Sequence, residues 1–345
     1  MMLYPPAELK QVQRSPMEMV FVLDCSGSMN GRPLDQARAA VTHALQKLTP
    51  QDTFQIIDFS NTASQLGPAP INATPENRRN GLAYLASMNG NGGTEMIEGL
   101  KAALDFPHDE GRYRVVSFMT DGYIGNDADI LHAVAQKTGN SRIFSFGVGQ
   151  SPNRYLMDRM ALLGRGAVAY LSLNDDPVQI MEQFQESISH PAMTDLSINW
   201  GNMNVTDVSP QIIPDLIVGR PVVLTGRFTG EPGTVTVNGR TGMQPVSYSV
   251  ALDARDANKE HKGIGAVWAR LKIADLMAQI SRTPDQAEQI QQSVLRTALD
   301  YSLMSALTAF VAVDSMTKTE GAFGTTVAVP VPVPEGVRYE TAVEN

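Results

Sequence analysis

Residues 17–24 read MEMVFVLD, and apart from Glu18 every residue before the closing aspartate is apolar, with no alternation that would leave one face polar. A strand of that kind has to be covered on both sides. The segment that follows is of the opposite kind: residues 32–48 repeat apolar side chains at Leu34, Ala37, Val41, Ala44, Leu45 and Leu48, the spacing of one helical face. The pairing recurs. TFQIIDFS, YRVVSFMTDG, RIFSFGVG and AVAYLSL read as further buried strands. Among them fall a helix opened by Thr74 and Pro75, one starting near Thr94, helices over 128–137 and 153–163, and a last one opened by Asp176 and Pro177 and reaching about Ser189. Strands apolar on both faces, alternating with helices, predict an α/β fold with a doubly wound, mainly parallel, Rossmann-like sheet. Ligands of such sheets bind beyond the carboxyl ends of the strands, where the connections diverge.

After Pro191 the texture changes. TDLSINW, QIIPDLIVGRPVVLTGRF, GTVTVNG and PVSYSVAL predict a β-rich region with Gly and Pro turns. From about Lys259 two C-terminal helices are expected. Ile264, Val267, Trp268 and Leu271 form the core face of the first, packed on the β-rich region, and a capping box at Thr283, Pro284 and Gln286 opens the second. TAFVAVD reads as one more strand, and VAVPVPVPEGV as an extended tail. The expected division is an N-terminal extension over 1–16, an α/β domain over 17–190, the β-rich region over 191–258, a helical segment with a final strand over 259–316, and a Pro/Val-rich tail over 317–345.

Composition narrows the function. The 27 Lys and Arg against 36 Asp and Glu give a net charge of −9, without the basic surface that nucleic-acid binding draws on. Cys25 is the single cysteine, so no internal disulfide is possible, and His43, His108, His132, His190 and His261 have no zinc-type spacing. The longest nearly apolar run, Leu303 to Val313, is too short to span a bilayer, and MMLYPPAELKQVQR lacks the apolar stretch of a signal peptide. As written, the chain is expected to be cytoplasmic, with no transmembrane segment.

Three separated stretches share one chemistry. Asp24, Ser26 and Ser28 lie on the turn after the first strand. Thr94 follows Gly90, Gly92 and Gly93 in NGNGGTE, and Asp121 closes the central strand in MTDG. A doubly wound sheet brings these loops to one edge. Hydroxyls and carboxylates without nitrogen or thiolate suit a hard cation such as Mg²⁺. Other readings fit less well. A capped turn into a helix accounts for Asp24, Ser26 and Ser28 alone, but not for Thr94 and Asp121 beside them. Cys-Ser-Gly-Ser is not a Gly-x-Ser-x-Gly elbow and has no Asp–His pair to serve it. Ser26 stands where a phosphorylated-aspartate enzyme commonly places a second Asp, and NGNGG lacks the Lys of a phosphate loop. Cys25 reads as a small packing residue, Asp127 and Asp129 as solvent-side helix-start residues, and Met29, Asn30, Tyr123 and Ile124 as a rim facing a partner.

DxSGS at Asp24–Ser28, Gly-Gly-Thr at 92–94 and TDG at 120–122 resemble the von Willebrand factor A domain and its metal-ion-dependent adhesion site, over residues 17–190. The resemblance implies that Ser26, Ser28 and Thr94 approach the ion directly, that Asp24 and Asp121 act from the inner or outer coordination sphere, and that Mg²⁺ is the occupant, with Mn²⁺ or Ca²⁺ as substitutes. It implies a non-enzymatic, protein-binding module for adhesion or assembly, in which an Asp or Glu of a partner completes the metal shell. Asp24→Ala or Asp121→Ala is then expected to abolish metal-dependent binding with little loss of fold. IPDLIVGRPVVL, LDYSLMSALTAFVAVD and VPVPEGV resemble bacterial relatives of the inter-alpha-trypsin inhibitor heavy chains, which pair a VIT domain with an A domain. Only about sixteen residues precede the A-type segment, so the VIT domain is expected to be missing, truncated or separately encoded. The family gives the periplasm or cell surface as the alternative location. The other roles implied are a regulatory subunit of a larger complex, such as a chelatase-type ATPase, and a structural partner of a separate VIT domain.

Overall fold

In the computed structural model the described residues are 1–5, 16–106, 109, 111–122, 125–189, 191–217, 221–242, 244–252 and 263–310. Strand β1 (Met2–Leu3) precedes β2 (Met17–Asp24), whose eight residues are all buried. Next come α1 (Arg32–Lys47), β3 (Thr53–Phe59), β4 (Ala63–Gln65), β5 (Ile71–Asn72), α2 (Pro75–Ser87), α3 (Met96–Leu104) and β6 (Tyr113–Thr120). They are followed by α4 (Asp127–Lys137), β7 (Arg142–Val148), α5 (Arg154–Leu163), β8 (Arg165–Leu171) and α6 (Pro177–Ser189). The sheet runs β4-β3-β2-β6-β7-β8, with β5 also on β3; β2, β3, β6, β7 and β8 are parallel, and β4 and β5 antiparallel.

Alternation along β2 sorts its side chains between two layers. Met19, Phe21 and Leu23 join Leu34, Val41, Leu45, Leu85, Met181 and Phe184 of α1, α2 and α6. Val20 and Val22 join Met96, Leu100, Leu131, Val134, Leu156 and Met160 of α3, α4 and α5. The expected α/β doubly wound sheet is therefore what forms, because strands without a polar face need helices on both sides. The chain leaves β2 through α1 to β3 on one side, then crosses back to β6 on the other. That reversal opens a crevice between the carboxyl ends of β2 and β6.

A second group of strands follows: β9 (Pro191–Asn199), β10 (Asn204–Ser209), β11 (Leu216–Ile217), β12 (Val222–Val223), β13 (Thr225–Thr229), β14 (Thr234–Thr241) and β15 (Gln244–Ala251). They form a sheet of order β11-β9-β14-β15 and the pair β10–β13, while β12 pairs with β1. The first residues of the chain thus belong to this part of the molecule: the Met1 ammonium donates to Leu224 O at 2.8 Å. Strand β10 has no period-2 apolar pattern and was not expected from NVTDVS.

A buried clamp ties this region to the first sheet. Arg142, at the start of β7, has a side chain 2% exposed and donates to Asp215 Oδ2 at 2.6 Å and to Asp195 Oδ1 at 2.7 Å. Tyr113 Oη donates to Asp215 at 3.0 Å.

Helices α7 (Ile264–Arg282) and α8 (Ala287–Asp300) pack on each other, and α7 also lies on α4 and β10. Two expectations need correction here. Trp268 is buried and donates to Asp207 O of β10 at 3.0 Å, but Ile264 and Val267 are 58% and 56% exposed. The buried face of α7 instead runs through Trp268, Ala269, Ile273 and Ala278, because the helix is seated by Trp268 on β10 and its first turn overhangs. The capping box does not form either: Thr283 donates its amide and hydroxyl to Gln279 O, at 2.9 and 3.1 Å, closing α7, so that its side chain is not available to open α8. A 3₁₀ turn over Pro284–Gln286 makes the connection instead.

Met1–Thr308 forms one unit, and of the second, Ala309–Asn345, only residues 309 and 310 are described. Thr308 pairs with Ser305 in an isolated bridge rather than in a strand, Ala309 and Phe310 are not in a strand either, and the remainder of TAFVAVD from 311, with the tail, lies outside the described residues. No described helix is long and apolar enough to cross a membrane.

Candidate metal centre

The crevice between β2 and β6 brings together the segments that carry the singled-out oxygens. Asp24 closes β2, and the chain then makes a 3₁₀ turn over Gly27–Met29, with Met29 N donating to Ser26 O at 3.1 Å. A tight turn was needed, because it brings hydroxyls two residues apart into contact: Ser26 Oγ and Ser28 Oγ share a hydrogen bond at 3.1 Å. Ser26 is buried and Ser28 exposed, so the pair runs from the sheet edge outward.

Met29 is the exception to the expected rim. It is fully buried among Phe21, Leu34 and their neighbours, and it anchors the turn from beneath instead of facing a partner. Asn30 is exposed, as a rim residue has to be; Tyr123 and Ile124 lie outside the described residues.

Asp24 is inaccessible to solvent. Its Oδ1 accepts from Ser26 N at 2.8 Å and its Oδ2 from Thr120 Oγ1 at 2.6 Å. Burial raises its pKa, the hydrogen bonds from Ser26 and Thr120 oppose the rise, and the negative charge of Asp121 adds to it. A carboxylate has about four lone-pair positions, and the Ser26 amide, the Ser26 side chain and the Thr120 hydroxyl do not fill them all. Asp121 follows β6 directly and is half-buried; its backbone carbonyl accepts from Asn153 N at 2.9 Å, at the start of α5.

Thr94 arrives on the loop before α3, and that loop is fastened to the serine turn. Gly27 N donates to Gly92 O at 3.0 Å and Asn91 N to Cys25 O at 2.8 Å. Gly90 permits the contact: a Cβ there would stand 2.6 Å from Asn30 Cα. Gly92 adopts φ +83°, and Gly93 N donates to Asn61 Oδ1 at 2.7 Å. The α3 helix begins at Met96, leaving Thr94 half-buried in the loop.

Thr120, Asn61 and Asn153 are supporting residues; in the sequence Thr120 stood out only as part of the TDG motif and Asn153 only as a helix start, and Asn61 did not stand out. For Thr120 a signal existed, since a hydroxyl ending the strand beside β2 falls next to Asp24 once β2 and β6 are paired in register. For Asn61 there was none, because its partner lies 32 positions away. Asp127 opens α4 as expected, half-buried rather than fully in solvent, with both carboxylate oxygens accepting from Asn153 Nδ2 at 3.2 Å. Cys25 is 3% exposed, and burial, with Asp58 and Asp24 nearby, pushes its thiol up to about 12.

Among the described residues, no group of three His, Cys, Asp or Glu is placed to hold a metal. Any ion here would depend on hydroxyls. The donor set fits a hard cation: adjacent ligands of an octahedral Mg²⁺ shell at 2.0–2.1 Å lie about 3 Å apart, close to the observed Ser26–Ser28 spacing of 3.1 Å.

Residues 17–170 match the model of the von Willebrand factor type A domain. That segment is a von Willebrand factor type A domain. The similarity of the chain to known proteins runs further than the A domain. It is 26% identical over 321 residues to human inter-alpha-trypsin inhibitor heavy chain H4, covering 86% of this chain and 34% of that protein. A von Willebrand factor A domain-containing protein of Dictyostelium discoideum is 26% identical over 311 residues, covering 86% of this chain and 15% of that one. The chain therefore spans about a third of the length of the first of these relatives and 15% of the second. Among solved structures, a von Willebrand factor type A protein from Catenulispora acidiphila superposes with a TM-score of 0.54 at 17% identity, covering 84% of this chain and 80% of that one. The ArnB paralog VWA2 from Sulfolobus acidocaldarius does so at 0.51 and 17%, covering 86% and 83%. Those two likenesses concern the fold alone.

Proposed function

We propose that the A domain is a divalent-metal-dependent protein-binding module, with Ser26, Ser28, Thr94, Asp24 and Asp121 holding Mg²⁺, or Mn²⁺ or Ca²⁺ in its place. The observation that carries this reading is the Ser26–Ser28 oxygen pair, 3.1 Å apart over a buried carboxylate, at the point where the sheet connections diverge. A domains are typically metal-dependent protein-interaction modules, which supports it. When bound, the ion supplies Lewis acidity toward an oxygen anion from outside.

The chain's own residues set the terms of that encounter. Asp24 spends one lone pair of each oxygen on Ser26 N and Thr120 Oγ1, which fixes its orientation and weakens it as a donor. Ser28, on the solvent side, presents a neutral hydroxyl. A hydroxyl-rich face leaves room for a carboxylate, and an Asp or Glu of a partner protein is the group that fits. Asn30 and, outside the described residues, Tyr123 and Ile124 would select among acidic partners. The role is binding rather than catalysis: the Cys25 thiol is buried and held protonated, which argues against a nucleophile at this turn.

Calorimetric titration of the full chain with Mg²⁺ tests the reading, comparing wild type with Ser26→Ala/Ser28→Ala. Saturable binding by the wild type alone is expected. Equal binding by both proteins overturns the ligand assignment. No binding by the wild type to Mg²⁺, Mn²⁺ or Ca²⁺, each up to about 10⁻³ M, overturns the metal reading.

A further inference from the structure

We infer that this chain associates with a second copy of itself through the free edge of β15, independently of the metal centre. The sheet β11-β9-β14-β15 ends on that strand, and no described strand pairs with its outer edge. All of its residues but Val246 are exposed. QPVSYSVA carries no charge, although exposed edges are ordinarily blunted by charged side chains, Lys above all. Pairing with β14 sets Tyr248 opposite Val237 and Val250 opposite Val235. Directly opposed residues share a face, and those two valines are buried. Tyr248 and Val250 therefore belong to the apolar inner face of the sheet, yet they are 60% and 53% exposed. They overhang a cavity of about 510 Å³ that Leu3, Tyr4 and Met193 also line.

What selects a second copy as the occupant is the symmetry of the strand. Residues 246–250 read Val-Ser-Tyr-Ser-Val, the same in both directions. Antiparallel pairing about a two-fold axis through Tyr248 sets Tyr248 opposite its own copy, Ser247 opposite Ser249, and Val246 opposite Val250. Aromatic, hydroxyl and β-branched pairs of this kind stabilise an antiparallel ladder, and an uncharged strand brings no like charges together at the axis.

The backbone agrees. A two-residue turn joins Thr241 to Gln244, and counting the ladder's alternation from it turns the amides of Ser247, Ser249 and Ala251 outward. The contacts Thr236–Ser249 at 3.0 Å and Ser247–Asn238 at 2.9 Å fall on the non-hydrogen-bonded pairs of that count, where side chains approach more closely. Pro245 also faces outward, where its missing N–H removes nothing from the β14 ladder. Two copies related by the Tyr248 axis make about six backbone hydrogen bonds. One such ladder buries less than the roughly 1,200 Å² of a stable interface, so the dimer is weak and concentration-dependent.

Sedimentation velocity of the full chain from about 5 to about 200 µM reads the association. The wild type is expected to shift toward dimer as its concentration rises. Tyr248→Lys and Tyr248→Glu, whose folding is checked by circular dichroism, should each stay monomeric, because the axis sets residue 248 against itself. An equimolar mixture of the two should recover the dimer. A wild type that remains monomeric throughout, a Tyr248→Lys protein that dimerises as the wild type does, or a mixture that stays monomeric would each overturn the proposal.

Discussion

Asp24 does two jobs that separate under mutation. It faces the serine turn, and it satisfies Ser26 N and the Thr120 hydroxyl in a place with no access to water. Asp24→Ala leaves both donors without a partner, at about 1–3 kcal/mol, so this substitution costs stability as well as metal binding. That revises the expectation of little loss of fold for this residue. Ser26→Ala/Ser28→Ala removes one hydroxyl pair, buried at Ser26 and exposed at Ser28, but keeps the Ser26 amide on Asp24, so urea unfolding should show a loss of about 1 kcal/mol while Mg²⁺ binding disappears. Asp121→Ala keeps the backbone carbonyl that accepts from Asn153 N, and with it the tie to the start of α5, while Mg²⁺ binding should be lost. Cys25, 3% exposed, should react with iodoacetamide only after unfolding, and rapid labelling of the native protein would contradict its place as packing behind the site.

Two loops built to touch make up the element scale. The glycine loop and the serine turn meet through Gly27–Gly92 and Cys25–Asn91 hydrogen bonds, and Gly90 lies against Asn30 backbone. Gly90→Ala forces main chain to move, so it should cost about 1–3 kcal/mol and weaken Mg²⁺ binding by carrying Thr94 away from the serines. Gly125→Ala is the control, since a Cβ there meets nothing within 4 Å. Thr74→Ala separates stability from function in the other direction. It removes the side-chain cap that Asn77 N uses at 3.2 Å, at about 1 kcal/mol, and should leave the calorimetric Mg²⁺ affinity unchanged.

At the scale of the molecule, Arg142 is the group on which the two β-regions depend. It enters at the start of β7, the end of the sheet away from the candidate metal centre, and neutralises an Asp215 side chain with no solvent exposure. Arg142→Ala strands that charge and should destabilise the protein by about 3–5 kcal/mol. Arg142→Lys should recover only part of it, because one ammonium cannot reproduce the forked contacts to Asp215 and Asp195. Thermal unfolding checks the order wild type, Lys, Ala. In each variant the folded fraction should bind Mg²⁺ as the wild type does.

The sequence by itself determined the A domain's layers and the address of its candidate site. Strands such as MEMVFVLD have no polar face, so helices had to cover both sides, and Asp24 and Asp121 had to fall at carboxyl ends of strands. Local chemistry also marked Thr74 and Pro75 as a helix start, since a cap acts within one turn. What only the tertiary structure decided is what depends on partners distant in the chain. Met29, beside the two serines of the turn, looked like rim and is core, because a 3₁₀ turn points it inward. Ile264 and Val267 looked like core and are exposed, because Trp268 found its seat on β10, a strand without apolar alternation. Asn61 and Thr120 hold the site through contacts 32 and 96 residues apart, and the Arg142 clamp spans 73. A side chain's type is written at its own position, but its burial and its hydrogen-bond partner are fixed only when the chain closes on itself.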